Sequence, residues 1–196
     1  MELAKKAAHG DDRAFEELVH LYEKRVYNMA LKITGSAEDA FDLSQNAFIR
    51  VWKSLKTFKG EAKFSTWLFR IVANLCTDFM RKQSRRGETP LVIDGDDESF
   101  EYEPPDERTE PERELSRKEL RQELDYAISQ LSEEHRTVFV LREIDDLSYA
   151  EIADVLGVEE GTVKSRLSRA RGRLREILVE RGNIPDGFAS KEMKGR

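Results

Sequence analysis

The chain has 196 residues, of which 39% are hydrophobic and 37% charged, and its formal net charge is −6. Its apolar runs are only a few residues long, so we expect neither a membrane span nor a signal peptide. A single cysteine, Cys76, excludes an internal disulfide, and we expect a cytoplasmic location. We find no nucleophile–base pair, phosphate-binding loop or zinc-ligand spacing. The sequence therefore argues against an enzyme and predicts no metal, cofactor or small-molecule substrate.

Charge divides the chain into three parts. Residues 1–87 hold 16 basic and 11 acidic side chains, residues 88–114 hold 2 and 12, and residues 115–196 hold 15 and 16. The middle part also contains four of the five prolines. Such a composition cannot bury enough apolar surface to offset the entropy of ordering. We therefore predict a flexible acidic linker at 88–114 between domains at 1–87 and 115–181, and a disordered tail at 182–196.

The first domain is predicted to consist of three long helices. Apolar residues recur at helical spacing from Asp11 to Thr34, where Gly35 ends the pattern. Ser36 is a predicted N-cap, with Asp39 in the capping-box position. A third helix is expected from about residue 65 to residue 81.

Aromatic and basic residues alternate between residues 52 and 70, "WKSLKTFKGEAKFSTWLFR". Rings among cations suit unpaired nucleic-acid bases and their phosphate backbone, and the loop Lys59–Lys63 could receive an extruded base. The alternative is that most of these rings are core residues. We expect this for Trp67, which lies on the apolar stripe of its helix, whereas Phe69 falls off the stripe and is predicted at the surface. The basic run Arg81–Arg86 would also suit a helix C-terminus without DNA.

The second domain is predicted to hold four helices, at 115–131, 132–144, 148–156 and 159–179. Ser148 and Glu151 form a predicted capping box, and Gly157 suits a tight turn. The last two helices therefore form a predicted helix-turn-helix. Because no strand pattern appears, the expected fold is all-α, with two small helical bundles.

The last helix has two distinct faces when its residues are placed at 100° intervals. Its apolar positions share one line: Val163, Leu167, Ala170 and Leu174. Small and basic residues lie opposite: Ser165, Ser168, Arg169 and Gly172. A solubilising helix would mix acids with its bases, but no acid occurs from residue 161 to residue 175. The pattern favours DNA recognition over a merely solvated basic helix.

Three segments together resemble a bacterial extracytoplasmic-function (ECF) sigma factor with domains 2 and 4. They are "AEDAFDLSQNAFIRVWKSL", "FKGEAKFSTWLFRIVANLCTDFMRKQSRR" and "LSEEHRTVFVLREIDDLSYAEIADVLGVEEGTVKSRLSRARGRL". The resemblance covers about residues 10–86 and 120–178. It implies a protein that binds core RNA polymerase and directs promoter-specific initiation, reading the −35 element as duplex and the −10 element partly as a melted strand. It also implies an anti-sigma partner.

The resemblance implies three sets of site residues. Contacts to the clamp coiled coil of the largest polymerase subunit are expected from Asp42, Gln45, Asn46, Phe48, Ile49 and Trp52. Contacts to the −10 element are expected from Lys56, Phe58, Lys59, Gly60, Glu61, Ala62, Lys63, Phe69, Asn74, Arg81 and Arg85. Contacts to the −35 element are expected from Arg142, Lys164, Ser165, Ser168, Arg169 and Arg171, and the second domain would also meet the polymerase flap region.

Alternatives remain at several of these positions. Phe48 and Trp52 could be core residues, and Arg142 could be a surface residue paired with Glu143 or Asp146. For the chain as a whole, the alternative is an autonomous helix-turn-helix regulator that binds DNA without polymerase. The pair "DLSQNAFIRVW" and "KFSTWLFR" argues against that class, which has no need for it.

Overall fold

A computed structural model of the chain describes residues 2–58, 60, 63–86 and 111–182, without the side chains of residues 86 and 111–118. All regular structure in these ranges is helical, which confirms the predicted all-α class. The α-helices are Glu2–Ala8 (α1), Asp12–Thr34 (α2), Ala37–Ser54 (α3), Phe64–Arg86 (α4), Pro111–Ser129 (α5), Glu133–Phe139 (α6), Tyr149–Leu156 (α7) and Glu160–Glu180 (α8). A 3₁₀ turn at Leu55–Thr57 extends α3, and a π-helical turn at Val140–Ile144 extends α6.

Local capping sets the ends of α2 and the start of α3. The Asp11 carboxylate accepts a hydrogen bond from the Ala14 backbone N–H at 3.1 Å. Gly35 adopts φ 76°, and its N–H donates to the Leu31 carbonyl. This left-handed conformation strains other residues, which explains why glycine ends the helix. The Ser36 hydroxyl then accepts from the Asp39 N–H at 3.2 Å. Helix α1, which the sequence pattern did not predict, packs through small buried residues.

Helix α4 lies at the centre of the molecule. It packs against α2 and α3 and also against α6 and α7. It is therefore buried on more than one face, and Leu68, Phe69 and Cys76 are each fully buried. The helix runs to Arg86, five residues beyond the predicted end at residue 81.

The first helix of the C-terminal half begins inside the segment predicted as a linker. Helix α5 starts at Pro111, four residues before the start predicted for this helix at residue 115. Proline is well suited to the first turn of a helix, where its missing N–H has no carbonyl to meet. The rest of the predicted linker, 88–110, and the tail from residue 183 lie outside the described residues.

The two helical halves, α1–α4 and α5–α8, pack against each other. One apolar core continues from Val72 and Leu68 on α4 to Val138 on α6 and Ile152 on α7. A buried guanidinium joins the halves as well: Arg136 donates to the Ile33 carbonyl at 2.8 Å and to the Leu131 carbonyl at 3.1 Å.

Arg136 also donates to the Ser129 carbonyl. The C-terminal end of α2 thus receives a cation from the other half of the chain, as the helix dipole favours.

Candidate nucleic-acid and polymerase interfaces

The outer face of α8 is arranged as its periodicity predicts. The four apolar residues Val163, Leu167, Ala170 and Leu174 are buried, and they hold α8 against the rest of the C-terminal half. Opposite them, Ser165, Ser168, Arg169 and Gly172 are exposed. Small side chains between the basic ones keep this face low, so that the helix backbone can approach a DNA groove closely.

The turn that presents α8 is fixed by two local features. The Ser148 hydroxyl accepts from the Glu151 N–H at 3.2 Å, and the Glu151 carboxylate accepts from the Ser148 N–H at 2.9 Å. This is the predicted capping box. The bonds that the Ser148 N–H and the Ser148 hydroxyl donate to the carboxylate, with a smaller contribution from Lys63, lower the pKa of Glu151 to about 2. Gly157 then ends α7 at φ 65°.

A tyrosine lies between two of the predicted −35 cations. The Arg142 guanidinium lies 5.2 Å from the Tyr149 ring centroid, and the Lys164 ammonium lies 5.7 Å from it. Arg142 also donates to the Leu147 carbonyl at 2.8 Å. Among the described residues it forms no ion pair with Glu143 or Asp146, the partners of the alternative interpretation. Tyr149 was absent from the predicted site, although its position one residue after the N-cap placed it next to the reading helix.

The basic residues of α8 differ in whether they already form an ion pair with an acidic side chain. Arg171 pairs with Glu143 at 2.7 Å, and Lys164 pairs with Glu160 at 3.6 Å. By contrast, Arg169 makes no hydrogen bond or ion pair with any residue that the structure describes. It is therefore the most available guanidinium on this face.

The predicted −10 surface is built on an aromatic cluster. Phe58 lies 5.2 Å from Trp67 and 5.7 Å from Phe64, measured between ring centroids. Phe58 and Trp67 remain half-buried, so the cluster is neither a full core nor a fully open stacking surface. Rings in tilted contact of this kind hold one another in place.

The other described members of the predicted −10 set are spread from the loop before α4 to near the end of that helix. Lys56, Asn74 and Arg85 are exposed, and Gly60 adopts φ 75° in the loop. Three members of the set, Lys59, Glu61 and Ala62, lie outside the described residues.

The other two exposed cations of the set are engaged by the C-terminal half. Lys63 pairs with Glu151 at 3.1 Å, and Arg81 pairs with Glu133 at 3.8 Å.

The prediction of Phe69 as a surface residue is wrong. Its side chain is fully buried, with the Arg25 guanidinium 4.9 Å from the ring centroid and the Tyr22 ring at its edge. It lies off the main apolar stripe of α4, but α4 has neighbours on more than one side. We therefore remove Phe69 from the candidate DNA contacts.

The predicted polymerase surface is an exposed face of α3. Ile49 is 50% exposed and Trp52 is 45% exposed, while Phe48 is half-buried. Phe41, not predicted as part of this surface, is 55% exposed. The polar members Asp42, Gln45 and Asn46 are also exposed.

The Trp52 ring rests on Phe15 of α2, with the centroids 4.7 Å apart. The core alternative for Trp52 is therefore wrong. Its tilted contact positions an indole that is still half open to solvent, which suits an apolar protein contact.

In the described ranges, no three or more His, Cys, Asp or Glu residues gather in a group that could hold a metal ion. No described helix is both long and apolar enough to span a membrane.

Burial raises the pKa of the Cys76 thiol to about 12.

Comparison with known proteins matches both halves of the chain. Family models match Sigma-70 region 2 at residues 18–86 and Sigma-70, region 4 at residues 121–174. The RNA polymerase sigma-H factor of Pseudomonas aeruginosa is 35% identical over 90% of this chain and 92% of its own length. The ECF RNA polymerase sigma factor SigW of Bacillus subtilis is 34% identical over 89% and 94%.

A solved structure shows the same likeness. The sigma factor RpoE of Bartonella quintana, in complex with the anti-sigma factor NepR, aligns with a TM-score of 0.63 and 27% identity. The alignment covers 84% of this chain and 96% of that one.

Helix α8 and the aromatic cluster of α4, with the exposed face of α3, define a promoter-recognition protein of the sigma type. The chain belongs to the ECF group of the sigma-70 family. It is a sigma factor for RNA polymerase and directs promoter-specific initiation of transcription, and the alternative of an autonomous regulator is not supported.

Proposed function

We propose that the chain reads its promoter at two points with the residues placed above. The exposed face of α8 reads the −35 element in duplex DNA, through Lys164, Ser165, Ser168 and Arg169. This assignment rests on the exposed outer face of α8, where small residues are flanked by basic ones. The opposite face of the helix is buried. Arg142 and Arg171 lie beside this face and would bind phosphates, which position a protein on DNA without reading its sequence.

The second contact is proposed to lie on the α4 side of the molecule. Lys56, Lys63, Asn74, Arg81 and Arg85 would hold the backbone of the melted −10 strand next to the Phe58–Trp67 cluster. Stacking and backbone charge together are what unpaired strands need. The loop between α3 and α4, which includes Gly60, would receive the extruded base.

The exposed face of α3 is proposed to bind the clamp coiled coil of polymerase. Ile49, Trp52 and Phe41 supply apolar area there, and Asp42, Gln45 and Asn46 supply polar contacts at its side. The C-terminal half would meet the flap region. With both halves held on polymerase, the second DNA contact becomes effectively intramolecular. Two contacts that each bind DNA weakly therefore bind it strongly together.

We also propose that the chain works in the cytoplasm and is controlled by an anti-sigma partner. The support is the likeness to the sigma factor RpoE, which was solved with the anti-sigma factor NepR. In this proposal the chain carries out no catalytic step itself, and the polymerase supplies the chemistry. The anti-sigma partner would block access to polymerase, so excess purified core polymerase should displace it from a tagged chain.

The decisive experiment compares DNA binding with and without core polymerase on a library of promoter fragments. We expect selection of a two-part site only when core polymerase is present. Sequencing transcripts after overexpression would then give the matching promoters in cells. Specific footprints on a palindrome without polymerase would contradict the proposal, because an autonomous regulator behaves in that way.

A further inference from the structure

Trp52 is the largest apolar side chain on the proposed polymerase face of α3. It lies two residues before the end of the helix at Ser54, and it is 45% exposed. A surface indole without a neighbour to hold it exchanges between rotamers. Ordering such a side chain on binding costs free energy and lowers the affinity for a partner. The contact that holds this indole in the free chain therefore affects how tightly the face binds.

The support for the indole comes from Phe15, in the first turn of α2. The centroid of the Phe15 ring lies 4.7 Å from that of Trp52, and the two ring planes are inclined at 56°. A tilted pair at this separation is attractive beyond the area that it buries. Phe15 is itself half-buried and packs against the main core. The fold therefore fixes the ring on which the indole rests.

The turn between α1 and α2 places Phe15. Gly10 adopts φ 93° in this turn, and the Asp11 carboxylate caps α2. The Phe15 N–H then donates to the Asp11 carbonyl at 3.2 Å. Helix α1 packs both on α2 and on the 3₁₀ turn Leu55–Thr57, which follows α3 directly. The first residues of the chain are thus folded against the end of α3, where Trp52 lies.

We propose that Phe15 is a positioning residue for polymerase binding. It holds the Trp52 indole in the orientation that core polymerase receives, and it does not touch polymerase itself. This inference rests on the proposed assignment of the α3 face to polymerase. No residue of α2 is among the predicted polymerase contacts, because the periodicity of α3 cannot reveal a ring on another helix.

The aromatic pair suits a binding side chain that must stay partly open. Rings in tilted contact restrict each other's orientation and still leave part of each ring free. Tryptophan is enriched among the residues that contribute most to protein interfaces, and an ordered side chain loses less entropy when the interface forms. An aliphatic residue at position 15 would fill space beneath the indole without fixing its tilt.

The test removes the Phe15 ring without emptying its site. Phe15→Leu keeps an apolar side chain that suits a helix, and Phe15→Tyr keeps the ring. The matched control is Tyr22→Leu, which removes a half-buried ring from the same helix, next to Phe64 and Phe69. Competition against a labelled sigma factor measures binding to core polymerase. Each affinity is expressed per folded molecule, from urea denaturation, so that lost stability does not count as lost binding.

We expect Phe15→Leu to weaken core polymerase binding about fourfold, because the freed indole must be ordered on binding. Phe15→Tyr should bind like the unmodified chain, and Tyr22→Leu should change binding by less than about twofold. The effect should require Trp52. In the Trp52→Ala background, Phe15→Leu should cause no further loss, and a double-mutant cycle measures this coupling.

A second readout follows the indole in the free full-length chain. The chain has two tryptophans, so labelling with 5-fluorotryptophan gives two fluorine NMR lines, which Trp52→Ala assigns. Phe15→Leu should shift and narrow the Trp52 line, since the indole loses its neighbouring ring and gains mobility. The line of Trp67, which lies against Phe58, should stay in place. Tyr22→Leu should leave the Trp52 line unchanged.

Three results would overturn the inference. The first is a further loss of binding from Phe15→Leu in the Trp52→Ala background, since Phe15 would then act by a route other than the indole. The second is normal binding by Phe15→Leu, or equal losses in Phe15→Leu and Phe15→Tyr. The third is an unmoved Trp52 line in Phe15→Leu.

Failure of the underlying polymerase assignment gives a different result. Trp52→Ala should weaken core polymerase binding about tenfold, as expected of an interface tryptophan, and normal binding by this variant would remove the assignment itself. If Trp52→Ala is defective while Phe15→Leu binds normally, the assignment stands and the positioning role of Phe15 is rejected.

Discussion

Helices α8 and α4 both carry predicted DNA contacts, but they depend on the rest of the molecule in different ways. On α8, one face is buried within the C-terminal half, and Arg169 on the opposite face is exposed and unpaired among the described residues. On the α4 side, Lys63, which directly precedes the helix, and Arg81 within it already face carboxylates from the other half. The −35 face is therefore set by the pattern of its own helix. The availability of the −10 face depends on how the halves are docked.

The largest expected effect comes from removing the buried link between the halves. Arg136→Ala leaves the carbonyls of Ile33, Ser129 and Leu131 without their charged donor. With each such bond worth about 1.5 kcal/mol, we expect the free energy of unfolding to fall by about 4 kcal/mol. Urea denaturation measures this. The control, Arg175→Ala on the exposed side of α8, should change stability by less than about 0.5 kcal/mol.

A fall of less than about 1 kcal/mol in the free energy of unfolding of Arg136→Ala would contradict this prediction. It would mean that the three bonds of Arg136, of which the one to Ile33 joins the halves, add little to stability.

The pH dependence of stability tests the docked contact at Arg25. Burial raises the pKa of Asp145 from its ordinary 3.8 to about 6, although Arg25 opposes the shift. Between these values the folded chain binds more protons than the unfolded chain. The free energy of unfolding should therefore fall as the pH rises from about 4 to about 6, by at most about 3 kcal/mol, and then level off.

Denaturation between pH 5.5 and 7 measures the upper part of this slope, above the range where the low pKa of Glu151 acts in the opposite direction. Asp145→Asn should flatten the slope, whereas Asp146→Asn, at the exposed neighbouring position, should keep it. An identical slope in Asp145→Asn would show that docking does not bury this carboxylate.

The variant Arg169→Ala tests the DNA contact proposed for α8. One well-placed arginine contact to a base contributes about 2 kcal/mol, so we expect transcription from the selected promoter to fall about 30-fold. Binding to core polymerase should be retained. Arg173→Ala is the control, because Arg173 is already paired with Glu176 at 3.1 Å. Equal loss of polymerase binding in Arg169→Ala would identify the residue as structural.

The smallest expected effect concerns the α3 face, which docking of the halves leaves exposed. Ile49→Ala removes apolar area from this face and should weaken core polymerase binding by about 1 kcal/mol, or roughly fivefold. Leu21→Ala, at another exposed apolar position, should leave binding unchanged. Competition against a labelled sigma factor measures both. If both variants weaken binding equally, the polymerase-binding surface extends beyond the proposed face of α3 and includes Leu21.

Structural features that depend only on residues close together in the chain could be predicted from the sequence. The ends of α2 and α7 follow from Gly35, Gly157 and the capping box, since each acts through its own backbone bonds. The buried line on α8 follows from residue spacing in the same way. These features required no knowledge of what lies across the core.

Features made by distant residues were not predicted. Phe69 lies off the main stripe of α4, and it is buried because Tyr22 and Arg25 of α2 cover it. The pairing of Lys63 with Glu151 joins residues 88 positions apart. A single helix pattern cannot show that a second half will cover another of its faces, so the state of the −10 surface was not visible in the sequence.

The bond from Arg136 to the Ile33 carbonyl has a consequence for synthesis of the chain. The two residues are 103 positions apart. At about 10 residues per second, the ribosome adds Arg136 roughly ten seconds after Ile33. Throughout that interval the Ile33 carbonyl lacks this donor and is left to water. The exposed face of α3, proposed above to bind polymerase, therefore leaves the ribosome well before the C-terminal half that packs against α4.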